Sequence, residues 1–284
     1  MERKGGACMT YRSLCERLVR AGIENAEWDT AMLLSHFCAI DPLSLAANLD
    51  QEYTSPELEA AVARREAREP LQYLLGEWAF YRQTYEVSPD CLIPRSDTEI
   101  LVEEAIRLLP LKARFADYCT GSGCIAISTL AERPDTQAVA VEKFENTLSL
   151  ACRNAERNGV SKRFVPQCAD ILSDAFVPNG APFDAILSNP PYITGEAMQT
   201  LAPELSSEPY AALYGGEDGL VFYRHILKTQ SKYLKKDGFF LFEIGYDQAD
   251  AVCELGKSAG FGDCKVRKDY GGNPRVVTLR RTRT

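Results

Sequence analysis

Three hydrophobic patterns follow one another along the chain. From residue 10 to about residue 75, apolar positions recur at helical spacing, first Leu14, Leu18 and Val19, then Ala31, Leu33, Leu34 and Phe37. Thr54-Ser55-Pro56-Glu57 places a cap residue before a proline, the start signal of a further helix. No strand-like alternation interrupts this region, which predicts a small helical bundle. Between residues 77 and 88 aromatic side chains take over (Trp78, Phe80, Tyr81, Tyr85), and Arg82-Gln83 between two short runs predicts a β-hairpin. Residues 89–94 read as a connector. Ser96-Asp97-Thr98-Glu99 has capping-box spacing and leads into an amphipathic helix through Ile100, Leu101, Ala105, Ile106 and Leu109.

After Pro110 short apolar runs alternate with helical ones. Strands are expected at 113–119, 138–141, 164–168, 183–188 and 238–244. Helices are expected after Gly123, at 146–158, at about 220–234 and at 248–259. Such alternation predicts an α/β fold, a doubly wound and mostly parallel sheet with helices on both faces. Residues 264–267 and 275–279 flank Asp269-Tyr270-Gly271-Gly272-Asn273 and predict a terminal antiparallel hairpin. The expected division is a helical domain at 1–76, a hairpin and linker at 77–96, and an α/β domain at 97–284.

Charge changes the picture of the first domain. The 284 residues are 45% hydrophobic and 25% charged, the values of a folded globular chain, with net charge −8. Residues 21–63 contain Glu24, Glu27, Asp29, Asp41, Asp50, Glu52, Glu57 and Glu59 but no Lys or Arg. Residues 1–90 hold 15 acidic and 9 basic groups, and the remainder 25 and 23. Tight non-specific duplex binding needs clustered Lys and Arg, so a nucleic-acid partner is disfavoured. An acidic face can steer a basic protein surface, or serve only as a solvated helix face.

No apolar run approaches the ~20 residues of a membrane span. The opening Met1-Glu2-Arg3-Lys4-Gly5-Gly6 leads into Arg12, Glu16, Arg17 and Arg20 without an apolar core, so no secretory signal is expected. Ten cysteines are scattered with no C-x-x-C pair, and His36 and His225 are the two histidines. That pattern predicts no zinc site but reduced, mostly buried thiols in a cytoplasmic protein.

Candidate chemistry gathers at the expected strand ends. Asp117-Tyr118-Cys119-Thr120-Gly121-Ser122-Gly123 passes from a strand through Gly-x-Gly into a helix. Glycine there lets backbone approach a ligand, and the helix N-terminus attracts a negative group. Gly121-x-Gly123-x-x-Ala126 fits a nicotinamide dinucleotide as well as S-adenosylmethionine, and an ordinary tight turn is the bland alternative. Glu142 ends the second strand, where its carboxylate can accept from both ribose hydroxyls. A solvated pair with Lys143 is the plain alternative. After the third strand, Asp170 can accept from an adenine amino group or cap a helix, and Ile171 can wall the ring.

The fourth strand ends in Asn189-Pro190-Pro191-Tyr192. Proline fixes φ and removes the N–H donor. The Asn189 side-chain carbonyl and the Pro190 carbonyl can then accept both hydrogens of a planar –NH₂ group, with Tyr192 as a flat wall. An amide nitrogen is a poor nucleophile because its lone pair is delocalised. Holding both N–H bonds localises density on nitrogen and aims it at a methyl sulfonium. Such positioning supplies at best ~7–11 kcal/mol in intramolecular models. A dehydrogenase would have no use for this arrangement.

These residues resemble the S-adenosylmethionine-dependent amino-methyltransferases. More narrowly, the chain resembles the protein-(glutamine-N5) methyltransferases that modify peptide chain release factors. Further segments carry that likeness: Glu69-Pro70-Leu71-Gln72-Tyr73-Leu74-Leu75-Gly76-Glu77, Leu92-Ile93-Pro94-Arg95-Ser96-Asp97-Thr98-Glu99, Gly215-Gly216-Glu217-Asp218-Gly219-Leu220 and Gly245-Tyr246-Asp247-Gln248. The resemblance implies a seven-stranded Rossmann-like methyltransferase sheet. It implies cofactor binding by Asp117, Cys119, Thr120, Gly121, Ser122, Gly123, Glu142, Asp170, Ile171 and Asn189. It implies that Asn189, Pro190, Pro191 and Tyr192 hold the substrate, with Asn189, Pro190 and Tyr192 in the catalytic step. The implied substrate is the glutamine of a Gly-Gly-Gln loop in class-1 release factors, docked partly by the N-terminal helical domain. A cytoplasmic monomer without direct nucleic-acid or membrane contact is expected. Five positions depart from the family: Ser96 and Asp97 replace Pro and Glu, Cys119 replaces Gly, Glu142 stands where Asp is frequent, and Ile171 stands where an aromatic residue can occur. The rival readings are methylation of an exocyclic base amine in DNA or RNA, methylation of a glutamine in a ribosomal protein, a nicotinamide-dependent oxidoreductase, and a non-enzymatic binding module.

Overall fold

The computed structural model describes residues 9–281. Residues 1–8 and 282–284, including Cys8 and the opening charged segment, lie outside the described residues. Contacts divide the chain into two compact units, one running to Gly76 with the addition of Ala202–Ser207, the other comprising Glu77–Leu201 and the chain from Glu208.

The first unit is helical. Helix α1 (Tyr11–Arg20) starts at a reciprocal cap: Thr10 Oγ1 accepts the Ser13 N–H and Ser13 Oγ accepts the Thr10 N–H. It buries Leu14 and Leu18. Helix α2 (Ala26–Cys38) follows, and α3 (Pro56–Glu66) begins where the sequence signal lies, with Ser55 Oγ accepting the Leu58 N–H and Pro56 in the first turn. The short α4 (Leu71–Leu75) ends at Gly76, whose φ of +72° terminates it. Part of the acidic stretch is neutralised internally. Asp29 accepts from Arg65 at 2.7 Å with both side chains buried, Glu59 pairs with Arg17 at 3.0 Å, and Asp50 pairs with Arg12 at 3.1 Å.

The second unit opens with a hairpin, β1 (Glu77–Phe80) and β2 (Gln83–Glu86). Its turn is Tyr81-Arg82 rather than the expected Arg82-Gln83, with Tyr81 at φ +56°. Helix α5 (Glu99–Leu108) departs from its expected capping box. Residues Ser96–Thr98 form a 3-10 turn, and the Glu99 carboxylate accepts the Tyr81 N–H at 2.8 Å instead of reaching back to its own helix start.

The alternating elements come next: β3 (Arg114–Tyr118), α6 (Cys124–Glu132), β4 (Gln137–Glu142), α7 (Glu145–Arg157), β5 (Phe164–Cys168), β6 (Phe183–Ser188), α8 (Tyr210–Leu213), α9 (Val221–Gln230), β7 (Leu234–Glu243), α10 (Ala249–Ser258), β8 (Asp263–Lys268) and β9 (Pro274–Arg280). The seven strands run in the order β5-β4-β3-β6-β7-β9-β8. The first five are mutually parallel, and β9 pairs antiparallel with β7 and β8. Both faces are apolar and alternate residue by residue. Phe115, Ala185, Leu187, Phe239 and Leu241 pack into one core, while Ala116, Tyr118, Ile186, Phe240 and Phe242 pack into the other. Each fully buried Leu or Phe contributes about 1.5–3 kcal/mol of transfer free energy.

The thiol expectation needs correction. Cys253 on α10 and Cys264 on β8 are bridged, with Cα atoms 5.8 Å apart. Of the described free cysteines only Cys91 and Cys124 are buried, and Cys168 is exposed. Among the described residues no helix is long and apolar enough to cross a membrane.

Candidate active site

Four parallel strands end on one edge of the sheet. The turn 119–123 follows β3, Glu142 closes β4, Asp170-Ile171 follows β5 and Asn189–Tyr192 follows β6. Strand β3 lies between β4 and β6, where the order of connections reverses, and an open sheet forms its crevice at such a point. A cavity of about 630 Å³ opens there, lined by Cys119, Thr120, Gly121, Ser122, Glu142, Asp170, Ile171, Asn189 and Pro191. Its remaining walls include Cys91, Leu92, Pro94 and Arg95 from the segment before α5, Phe144, and Tyr210 and Tyr214 around α8. Asp117, Gly123, Pro190 and Tyr192 stand outside this lining.

The glycine-rich turn is built on left-handed backbone. Cys119, Gly121 and Gly123 have φ of +57°, +55° and +83°. Cys119 therefore keeps the conformation that glycine adopts freely, at a cost of about 1–2 kcal/mol for a residue with a side chain. A Cβ on Gly121 would meet nothing within 4 Å, so its backbone borders open space, whereas one on Gly123 would stand 2.7 Å from Ile127 Cδ1. Gly121 thus serves ligand approach and Gly123 serves helix packing. Asp117 supports the turn from beneath. Its Oδ2 accepts from Thr120 Oγ1 at 2.6 Å and from the Ala126 N–H at 3.2 Å, while Oδ1 is buried without a partner. Burial pushes its carboxyl up to about 7.

Glu142 is buried and fixed by three backbone donors, the N–H groups of Gly121 (3.1 Å), Lys143 (2.8 Å) and Phe144 (3.2 Å). Burial raises its pKa against those bonds. It is not half of a solvated pair with Lys143, whose Nζ meets Asp170 Oδ2 at 2.9 Å. Asp170 Oδ1 accepts the Leu172 N–H at 2.9 Å, so this residue both shapes its own turn and borders the cavity.

At Asn189 the side-chain Nδ2 donates to Thr98 Oγ1 at 3.3 Å. That bond engages the amino end of the amide and leaves the Oδ1 end as an acceptor. The Tyr192 ring packs with the core on the α9 side, and its hydroxyl donates to Glu243 Oε1 at 3.5 Å. Burial raises the Tyr192 pKa, with the nearby Glu243 acting in the same direction.

Comparison with known proteins agrees with this geometry. Residues 10–76 match the family model described as PrmC N-terminal domain, and residues 96–239 match that of the methyltransferase small domain. The chain is 42% identical over 265 residues to the release factor glutamine methyltransferase of Geobacter sulfurreducens, covering 92% of this chain and 91% of that protein. It is 39% identical over 278 residues to that of Cereibacter sphaeroides, covering 96% and 98%. The chain belongs to the release factor glutamine methyltransferase family. It is thereby an S-adenosylmethionine-dependent protein-glutamine methyltransferase by family. A solved methyltransferase from Pyrococcus furiosus shares the fold, with a TM-score of 0.53 at 20% identity, covering 78% of this chain and 96% of that one.

The segments 92–99, 215–220 and 245–248 have structural roles around the site. The loop Gly215–Gly219 lies against the Asn189–Tyr192 turn. A Cβ on Gly215 would stand 2.6 Å from Tyr192 Cα, and one on Gly219 2.3 Å from the Tyr192 carbonyl oxygen. Gln248 Nε2 donates to the Tyr192 carbonyl at 3.1 Å, and its Oε1 accepts the Gly245 N–H at 3.0 Å. The segment before α5 is tied to the loop entering α8 by Glu208, which pairs with Arg95 and accepts the Ile93 N–H at 3.0 Å. Thr98, Gln248, Glu208 and Glu243 thus belong to the site's framework. Thr98 and Gln248 lie within the segments 92–99 and 245–248 that carry the family likeness, whereas Glu208 and Glu243 lie in no such segment. Asn154 on α7 adds to them, donating to the Ser122 carbonyl at 3.0 Å.

Proposed function

We propose that this methyltransferase transfers a methyl group from S-adenosylmethionine to the side-chain amide nitrogen of the glutamine in the Gly-Gly-Gln loop of class-1 peptide chain release factors. The observation that carries the reading is the orientation of Asn189. With Nδ2 engaged by Thr98, Oδ1 is free to accept one amide N–H of the substrate, and the Pro190 carbonyl accepts the other. Tyr192 and Pro191 complete the turn, which is held by Gln248 and the glycine loop.

The cavity residues fit the methyl donor. Glu142 offers a fixed carboxylate for the ribose hydroxyls, the uncovered backbone of Gly121 admits close approach, and Ile171 and Leu172 offer apolar contact for the adenine beside Asp170. Asp117, Cys119, Thr120, Ser122 and Gly123 shape the turn. When bound, S-adenosylmethionine supplies an electrophilic methyl group on a sulfonium. The protein's own work is positional. Asn189 and Pro190 hold two N–H bonds, restrict the nitrogen lone pair to one direction and keep water from competing for the same hydrogens. The proton leaves after transfer, so no strong base is required beforehand. The helical unit helps to dock the release factor, and the enzyme acts as a cytoplasmic monomer without direct nucleic-acid contact.

Replacing Asn189 by Ala tests the reading. Methyl transfer to a purified release factor should fall to background while the fold remains. Near-normal transfer by a folded Asn189→Ala protein removes the proposed role.

A further inference from the structure

The guanidinium of Arg275, near the start of β9, is 12% exposed, and methyl transfer as described does not use it. A cation so far removed from water must be paired. Its partners come from three elements. Nε and Nη2 donate to Asp269 Oδ2, just past β8, at 3.2 and 3.1 Å. Nη1 donates to the Ile244 carbonyl, just past β7, at 3.3 Å. Nη2 also forms an ion pair with Asp97 Oδ2, in the 3-10 turn before α5, at 3.1 Å.

Two of these partners adjoin the two supports of the Asn189–Tyr192 turn. Asp97 precedes Thr98, whose Oγ1 accepts from Asn189 Nδ2 at 3.3 Å. Ile244 precedes Gly245, whose N–H donates to Gln248 Oε1, and Gln248 Nε2 in turn donates to the Tyr192 carbonyl at 3.1 Å. One side chain therefore joins the segment that orients the Asn189 amide to the segment that holds the far end of the turn. A guanidinium suits this task, because its planar fork carries five donors in fixed directions.

We propose that Arg275 is a positioning residue for methyl transfer: by engaging Asp97 and the Ile244 carbonyl together, it keeps Thr98 and Gln248 at a fixed separation and so holds Asn189 and Tyr192 in the geometry that receives the substrate amide. The proposal rests on Asn189 being the acceptor for that amide. The terminal hairpin has other anchors. Arg267 pairs with Glu103 and with Glu104 on α5, the latter at 3.2 Å, and the Tyr270 hydroxyl donates to Glu103 at 2.7 Å. Asp269 Oδ1 accepts the Asn273 N–H at 2.9 Å and closes the hairpin end itself. Asp97 is 49% exposed, and an ion pair open to water on one side adds little to stability. Its loss should disturb the turn far more than the fold.

The test measures kcat and KM with a purified release factor for wild type, Asp97→Ala, Asp97→Glu, Thr98→Val, Arg275→Lys and the double variant of Asp97→Ala with Thr98→Val. Calorimetric S-adenosylmethionine affinity and thermal unfolding accompany each. Asp97→Ala should lower kcat by about 10- to 100-fold with KM and cofactor affinity nearly kept, and should lower the unfolding temperature by no more than about 4 °C. Asp97→Glu, which keeps the carboxylate, should retain most of the rate. Arg275→Lys carries one compact ammonium that cannot span the partners, and should lose kcat as Asp97→Ala does. Asp97 acts through Thr98, so the losses in the double variant should fall well short of multiplying. If Arg275→Lys does not fold, the Asp97 and Thr98 variants decide. Wild-type kcat in Asp97→Ala, or losses that multiply in the double variant, alongside an inactive Asn189→Ala, overturn the role of Arg275 alone. Activity surviving in Asn189→Ala overturns the underlying reading of Asn189, and the role of Arg275 with it.

Discussion

Gly215→Ala is the sharpest probe of how the reactive turn is held. Gly215 does not occupy the left-handed region, so alanine meets no backbone strain there and the substitution isolates a close approach. The added Cβ would stand 2.6 Å from Tyr192 Cα and 2.7 Å from the Pro191 carbonyl oxygen, both backbone atoms, against ordinary contact beginning at 3.4 Å. Backbone cannot rotate aside as a side-chain end can, so the turn or the loop must move by about 0.8 Å, the difference between those separations. A misplacement approaching 1 Å costs a positioned reaction about 100-fold in rate. Overpacking costs about 1–3 kcal/mol of stability. The assay is single-turnover transfer of a labelled methyl group to a release factor at saturating cofactor, beside calorimetric cofactor affinity. A large loss of rate with cofactor affinity nearly kept is expected. Wild-type transfer by Gly215→Ala would falsify the claim that this contact fixes the turn.

Glu142→Ala should weaken S-adenosylmethionine binding by about 10- to 100-fold, the effect of losing hydrogen bonds to a charged acceptor; unchanged calorimetric affinity would mean that the carboxylate only braces the loop. Cys119→Gly should raise stability by about 1 kcal/mol, because φ of +57° suits glycine. No gain in unfolding temperature would show that the packing of the thiol outweighs the backbone strain. Asp117 holds its proton to about pH 7 when folded against 3.8 otherwise, so its contribution is complete at low pH and is lost as pH rises to about 7, a change of order 4 kcal/mol. Asp117→Asn should flatten that part of the pH–stability curve, and an identical slope in the variant would contradict the assignment.

The parallel strands were legible because burial on both faces leaves short apolar runs, as in β3, β4 and β6. The edge strand β5 was also readable despite Pro166, which an edge tolerates. Strand β7 was not placed correctly at its start. It begins at Leu234, and the exposed Lys235, Lys236 and Asp237 hid that start from an apolar pattern. The capping box at Ser96–Glu99 failed because tertiary structure gave Glu99 a better partner in the Tyr81 N–H. Motif residues that end strands were visible, since a single strand–turn–helix segment contains the signal. Glu208 and Glu243 are distant in sequence from the segments they brace, so local spacing carries no trace of their role, whereas Thr98 lies inside the Leu92–Glu99 segment and only its partner Asn189 is distant. The bridge between Cys253 and Cys264 depends in the same way on α10 packing beside β8.

By the proposed function, the methyl group goes to one glutamine amide of a release factor. The direct measurement is incubation of the enzyme with labelled S-adenosylmethionine and a purified class-1 release factor, followed by mass spectrometry of the Gly-Gly-Gln peptide, with a nucleic-acid substrate treated in parallel. One methyl group on the side-chain nitrogen of that glutamine, and none on the nucleic acid, is the expected result. A methyl group elsewhere in the release factor, or label in the nucleic acid alone, would contradict the account.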